Sequence, residues 1–407
     1  MESHLAYSDS GMKILYYSSH PHLRIEDQTG YGTHMREMIA AFESQGHKVR
    51  FLIAGQQTVK TSTKQKSKTR QSPLKSILKF LLPQLIWETI KDLQLIRLDH
   101  ANKRVLNSLL NEFKPDAIYE RSHYAMVSGV KVAKDRSIHH ILEVNSPNVE
   151  ERIKLSGRSL MTRRASRMDR WAFSNTDHVL TVSTYLAKHL DITRIAKRWS
   201  VTPNAIRPGQ QEESTLMISR QSIRIDDSAV LLGFIGSIFP WHGVDLIIDS
   251  VAHLRKRGRN LQAIIVGDGA ILKDLESLTE FHNLKEAIHF VGSVPQCDTF
   301  AYTQLCDILV MPRSNAYGSP VKIFEYGLMR KPCIVPNTAP VREVFQNGVH
   351  GWVIDPSIMS LTSAIIEIMD DPSKSSNAAV NWQTKVLEDH TWHVNANQAL
   401  AKRITAE

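Results

Sequence analysis

Two side chains three positions apart, Lys322 and Glu325, carry the first chemical signal in this chain. They follow Ser314–Ser319, a run of small residues with a glycine in it, and Pro320, whose missing N–H costs nothing in the first turn of a helix. Val321–Met329 reads as that helix, between the apolar strand Leu305–Met311 and the short buried strand Cys333–Val335. A loop that opens onto a helix leaves backbone N–H groups unpaired at the positive end of the helix dipole, which suits a phosphate. Lys322 adds a charge for that anion, and Glu325, one turn on, offers an acceptor for sugar hydroxyls. The same spacing equally describes a Lys–Glu pair on a helix surface.

The elements that must position these groups alternate. Lys13–Ser18, Val49–Ala54, Asp116–Tyr119, Ile138–Val144 and His178–Val182 read as strands separated by helical stretches. Val230–Ile235, Leu261–Val266 and Ile288–Val291 repeat the design in the second half. Such alternation specifies doubly wound parallel sheets, whose strand ends border the ligand crevice. At those ends stand the glycine loop Gly30, Tyr31, Gly32, with His34 and Arg36 opening a helix that stops at Gly46. Arg121 and His123 follow one strand, and Glu143 and Asn145 follow the next. In the second half the loops are Gly236–Gly243 (GSIFPWHG), Gly267–Gly269 and Gly292–Pro295, the last carrying Val294. His34 is expected to turn to the crevice and Arg36 to solvent. His242 either donates a hydrogen bond to an anion or stacks on Trp241. The alternative for each charged group is a structural hydrogen bond or a helix cap.

The run GSPVKIFEY (Gly318–Tyr326) with Lys331 and Pro332, and the opening unit GYGTHMREMIAAFESQGHKV, resemble family 4 glycosyltransferases. The resemblance extends from about Lys13 to Ile366. It implies the GT-B fold: two Rossmann-like α/β domains facing across a cleft, with a C-terminal helix crossing back to the first domain and Trp392 pinning it. It implies a donor site in the second domain, made by Gly236, Ser237, His242, Gly267, Val294, Tyr317, Gly318, Ser319, Pro320, Lys322 and Glu325, with Lys322 on the diphosphate and Glu325 on the ribose. It places the acceptor against Gly30, Gly32, His34, Glu143 and Asn145, and gives Lys322, Arg121 and His123 the catalytic positions. The chain departs from the family pattern at several of these. Tyr317 stands where the first glutamate of a pair is usual, Ser237 and His242 where an arginine and a lysine are usual, and Arg121 and Asn145 where histidines are usual. The implied reaction is retaining, hexosyl-type transfer from a nucleotide diphosphate sugar, in which the departing phosphate takes the acceptor proton. No protein nucleophile, metal or cofactor is implied.

Bulk properties bound the rest. The chain of 407 residues is long enough for two α/β domains, placed at 1–205 (with 386–407 packing back on it) and 206–385. Three cysteines without metal spacing suit a reducing compartment. The net charge of +9 is uneven: residues 1–200 hold 32 Lys+Arg against 19 Asp+Glu, or +13, which leaves −4 for residues 201–407. Such a half seeks an anionic membrane surface or acceptor. No nucleic-acid motif accompanies the charge. The basic stretch Gln56–Gln71, the amphipathic segment Pro73–Leu95 and an arginine-rich helix at Glu150–Ala172 either lie on a bilayer or are solvated faces of the domain. With no apolar run long enough to span a bilayer and no signal peptide, the expected location is cytoplasmic, peripheral on the inner face of the membrane. Cell-envelope polysaccharide or lipid-linked glycan assembly is the first expectation. The alternatives are glycosylation of a small natural product and a non-catalytic nucleotide-sugar-binding subunit.

Overall fold

All twelve named strands pair in parallel in the computed structural model, which describes residues 11–27, 30–56 and 82–401. The first sheet contains β1 (Lys13–Ser18), β2 (Lys48–Ile53), β3 (Ala117–Arg121), β4 (His139–Val144), β5 (His178–Thr181) and β6 (Trp199–Val201), in the order β2-β1-β3-β4-β5-β6. The second contains β7 (Val230–Ile235), β8 (Leu261–Val266), β9 (Ile288–Gly292), β10 (Ile308–Val310), β11 (Cys333–Pro336) and β12 (Trp352–Ile354), in the order β12-β11-β10-β7-β8-β9. Each order reverses once, between β1 and β3 in the first sheet and between β7 and β10 in the second. At such a switch point the two crossovers leave in opposite directions and open a crevice beyond the strand ends. The sequences LQAIIV and VLLGFI are nearly continuous apolar runs because helices cover both faces.

The chain divides into two units, Met1–Thr202 with Ala396–Glu407, and Pro203–Asn395. The second change falls inside the helix Trp392–Leu400, ten residues beyond the expected 386, because the preceding helix Pro372–Asp389 puts Trp382 and Val386 into the second unit's core. Within that unit the two ends of the chain are stapled side by side. Ile206 N–H donates to His390 O (3.0 Å), Trp392 N–H to Ile206 O (3.1 Å), and Asn395 Nδ2 to Pro203 O (2.7 Å). Residues of β7 alternate between two cores: Leu232 and Phe234 on one face, Leu231 and Ile235 on the other.

In the first unit three expectations change. The strand read as Asp116–Tyr119 runs on to Arg121, so Glu120 and Arg121 pair in register with Leu142 and Glu143 and are buried. The arginine-rich helix breaks into Asn148–Ser156 and Thr162–Asn175, since Gly157 takes a left-handed φ of +86° and Ser159 turns inward to Asp92. The first half of the helix Gln84–Phe113 buries carboxylates, Glu88, Asp92 and Asp99, in place of the apolar face its sequence offers, while Leu106, Leu110 and Phe113 of the second half are buried. Residues 57–81, which hold most of Gln56–Gln71 and the start of Pro73–Leu95, lie outside the described residues. No helix among the described residues is long and apolar enough to cross a membrane.

Trp382 is fully buried, donates from Nε1 to Ile323 O (2.8 Å), and packs so closely on Gly327 that a Cβ there would meet its indole at 2.6 Å. It is the back support of the helix Val321–Leu328 that carries Lys322 and Glu325. Trp382→Ala should cost about 3–5 kcal/mol of stability, read from urea unfolding of the full chain, because the cavity cannot close against a rigid sheet. An unchanged midpoint would mean that the helix does not depend on this support.

Candidate functional site

The second unit gathers polar groups at its switch point. Gly236 ends β7 with φ +132°, a conformation that only glycine takes readily, and its N–H donates to Val266 O (2.8 Å). Ile238 N–H donates to Asp268 O (2.9 Å) and Gly267 N–H to Gly292 O (2.8 Å), so the loops after β7, β8 and β9 are laced together by backbone. A Cβ on Gly267 would overlap Gly236 O, and a Cβ on Gly236 would overlap Lys322 Cε. The lysine therefore lies against the bare backbone of Gly236, with Nζ 5.6 Å from the centroid of the Phe234 ring. Burial lowers Lys322 from the usual lysine range to about 8, against an opposing pull from Glu325. Burial raises Glu325, opposed by Lys322 and by Gln296, whose Nε2 approaches Oε1 at 3.4 Å. Both side chains are half-buried, so they are not the exposed surface pair their spacing also allowed.

The loop before this helix is preorganised by side chains. Asn315 Oδ1 accepts from Gly318 N–H (2.6 Å) and Tyr317 N–H (3.3 Å), which spends two of the amides expected to serve the donor. Ser319 is buried; its Oγ accepts from Asn204 N–H (3.0 Å). The helix itself receives no side-chain cap at Pro320. His242 is anchored: Nδ1–H donates to Ser237 O (2.6 Å), so neutral His242 carries a lone pair, not a proton, on Nε2. Burial, then Lys322, lowers it to about 4. A hydrogen bond from His242 to an anion thus requires a second proton on the ring. Trp241 stacks on Phe239 (4.6 Å, 9°) and meets His242 only edge-on (6.0 Å). Val294 packs against the apolar core face under β8 and β10.

In the first unit Arg121, His34, Glu143 and Asn145 come together and hydrogen-bond to one another. Arg121 Nη1 donates to His34 Nδ1 (3.0 Å), His34 Nε2 donates to Glu143 Oε1 (2.7 Å), and Asn145 Nδ2 donates to the same oxygen (2.7 Å). His34, Arg121 and Glu143 are all buried. Burial lowers His34 to about 4, opposed by Glu143 and aided by Arg121, so it bridges the cation and the carboxylate as a neutral ring. Tyr31 covers the guanidinium at 5.5 Å. The helix begins at Gly30 and so takes in the stretch expected to be a glycine loop. A Cβ on Gly32 would overlap Asp27 O, which explains that glycine as close packing. Arg36 is not in solvent: its guanidinium clamps the carbonyls of Ile25 and Asp27.

His123 stands apart from this network. It packs against His20, a residue that the sequence reading passed over, with ring centroids 4.1 Å apart and planes tilted by 53°. The loops after β1 and β3 that carry the two rings flank the switch point of the first sheet. His20 Nδ1 accepts from the backbone N–H groups of both His22 and Leu23 (3.1 Å each), which forces the neutral ring to hold its proton on Nε2. Its place directly after a buried strand is the signal that would have found it. Arg313, just after β10, was missed in the same way; it donates to Pro240 O (3.2 Å) and pairs with Asp245 (3.4 Å), bracing the loop around His242. Among the described residues no cluster of three or more His, Cys, Asp or Glu is arranged to hold a metal.

Long-range nitrogen–proton correlation spectra of histidine-labelled protein should show the Nε2–H tautomer for His20 at neutral pH. Burial lowers His20 to about 4 and His123 to about 3, so both should stay neutral until the pH falls that far. The Nδ1–H tautomer, or titration near the ordinary histidine value, would show that the two rings are not held as described.

Two family profiles match, "Glycosyltransferase Family 4" over residues 29–210 and "Glycosyl transferases group 1" over residues 218–385. The alpha-D-kanosaminyltransferase of Streptomyces kanamyceticus is 28% identical over 164 residues, 40% of this chain and 42% of its own length. A GDP-mannose-dependent alpha-(1-6)-phosphatidylinositol monomannoside mannosyltransferase of Mycolicibacterium smegmatis is 23% identical over 162 residues, 38% of this chain and 42% of its own length. The chain thus spans less than half the length of these relatives. The crystal structure of HepE from Anabaena in complex with UDP superposes with a TM-score of 0.69 at 17% identity, covering 97% of this chain and 100% of that one, a likeness of fold. The two profiles together run over most of the chain, and with the shared GT-B fold they place it in glycosyltransferase family 4.

Proposed function

We propose that this protein moves a sugar from a nucleotide diphosphate sugar to an acceptor, with retention of the anomeric configuration. The observation that carries the reading is Lys322, held half-buried against Gly236 at the switch point of the second sheet, on a helix whose first turn has no side-chain cap. A partly desolvated ammonium at the N-terminal end of a helix is a site for an anion of high charge, and the donor diphosphate supplies one. In the proposed step the bond from the anomeric carbon to the diphosphate oxygen breaks, that carbon bonds to the acceptor oxygen on the same face, and the acceptor proton passes to the departing phosphate. Lys322 meets the charge that develops there, Glu325 accepts from the ribose, and no metal or cofactor takes part. The first unit takes the acceptor: His20 and His123 meet it, and the buried Arg121–His34–Glu143 chain positions the loops around them.

The acceptor class is a cell-envelope polysaccharide or lipid-linked glycan, handled peripherally at the inner face of the membrane. The positive first half of the chain and the similarity to a phosphatidylinositol mannoside mannosyltransferase support this. The similarity to a kanosaminyltransferase supports a second reading, glycosylation of a small natural product.

A thermal-shift panel of UDP, GDP, ADP and their sugars, with and without Mg²⁺, tests the donor site. A nucleotide at 100 times its dissociation constant should stabilise the fold by about 2.7 kcal/mol, without metal. Lys322→Ala should remove that response while leaving the unliganded protein no less stable, since burial works against the ammonium in the folded state. Full loss of response to every nucleotide by the unaltered chain would leave a degenerate binding module.

The pH dependence follows from the same lysine. Lys322 in the free protein is charged below about 8 and neutral above it, and the diphosphate favours the charged form. Nucleotide affinity should therefore fall as pH rises past that value, by at most about tenfold per pH unit. Affinity that is flat from neutral pH to well above 8 would remove Lys322 from the diphosphate.

A further inference from the structure

The first half of the helix Gln84–Phe113 is inside out. Glu88, Asp92 and Asp99 are 5%, 0% and 3% exposed, while Leu85, Ile86, Ile90 and Leu93 are 43%, 42%, 37% and 41% exposed. Hydrogen bonds and ion pairs set this rotation. Arg152 reaches both Glu88 (2.6 Å) and Asp92 (2.9 Å), the Tyr124 hydroxyl donates to Asp92 (2.7 Å), as does that of Ser159, and Asp99 accepts from the N–H groups of Val127 (3.2 Å) and Ser128 (3.0 Å). Burying the apolar side instead would expose these carboxylates and leave Arg152 unpaired.

The apolar surface continues onto a neighbouring segment. Leu155 and Leu160 are 77% and 69% exposed. They are tied to the helix, for Gln84 Nε2 donates to Ser156 O and Leu160 N–H donates to Thr89 Oγ1, both at 3.0 Å. The charges around this surface are mostly positive, with Glu150 and Glu151 at the start of the helix Asn148–Ser156 the exceptions. In residues 84–93 and 152–163 the only carboxylates are Glu88 and Asp92, both buried, whereas Lys91, Lys154, Arg158 and Arg163 face outward. Contiguous exposed apolar side chains within a rim where cations outnumber carboxylates fit a surface that is apolar below and anionic above.

We propose that this face docks the first unit on an anionic lipid bilayer, with Leu155, Leu160, Ile86 and Ile90 entering the acyl boundary and Lys154, Arg158 and Arg163 meeting the headgroups. The proposal deepens the peripheral-membrane part of the reading above and does not depend on which sugar, or whether any sugar, is transferred.

The test is co-sedimentation of the full chain with vesicles of phosphatidylcholine alone and of equal parts phosphatidylcholine and phosphatidylglycerol. The unaltered protein should bind the anionic vesicles and release them as salt rises. The double variant Leu155→Ser, Leu160→Ser should lower the partition coefficient by more than about tenfold, from the apolar area it withdraws from lipid. Arg158→Glu with Arg163→Glu should lower it as well. Each variant should keep the melting temperature and nucleotide response of the parent. Binding to neither vesicle, or equal partition of the leucine variant and the parent, overturns the proposal. So does a parent that is dimeric by light scattering and a leucine variant that is monomeric, since a second copy then covers the face. Vesicle binding that persists in a chain with no nucleotide response overturns the transfer reading alone.

Discussion

Every named strand in both units runs parallel to its neighbours, so the chain must return to the same sheet edge before each new strand begins. The loops that follow the strands therefore gather on one side, and where the strand order reverses they part and leave room. This constraint accounts for the places of nearly all the polar groups discussed above. Gly236, Arg313 and the helix bearing Lys322 meet where β7 and β10 diverge in direction of crossover; His20 and His123 meet where β1 and β3 do. Neither group is close in sequence. The sheet makes them neighbours.

How much of this was legible depended on whether a residue's role is local. Lys322 and Glu325 were readable because strand, glycine loop, proline and helix follow one another within a single crossover, and the core that sets their burial lies directly beneath them. The alternation that specified two parallel sheets was readable for the same reason. Arg121 was not, because its role turns on whether a strand stops at Tyr119 or runs two residues further, and its partners His34 and Glu143 come from other elements. Arg36 has charge and a helix start to suggest solvent, but the loop carbonyls it clamps have no signature. His20 lacks a motif altogether; two backbone amides decide its tautomer.

The helix Gln84–Phe113 shows the sharper limit. Periodicity tells which side chains share a face, but it does not tell which face turns inward. Here the decision rests on Arg152, some sixty residues away in sequence, which makes burial of two carboxylates tolerable. Removing that arginine would leave uncompensated buried charge, a larger cost than the hydrophobic gain of rotating the helix. A polar interior and an apolar exterior can thus be the stable arrangement of an ordinary amphipathic sequence when one cation is placed to receive it.

A related economy shapes the switch point of the second unit. The loop after β7 carries Ser237 and His242, neither of which brings a fixed charge; His242 is neutral over the physiological range, anchored through Nδ1 and depressed by burial and by Lys322 itself. A lysine on that loop would crowd the ammonium already resting on Gly236. With the cation delivered from the helix, the loop is free to be small, to hold φ values open only to glycine, and to let backbone approach backbone at Gly236 and Gly267. The cation at this switch point leans over the loop from the helix, and the bare glycine at the contact is the condition for that close approach.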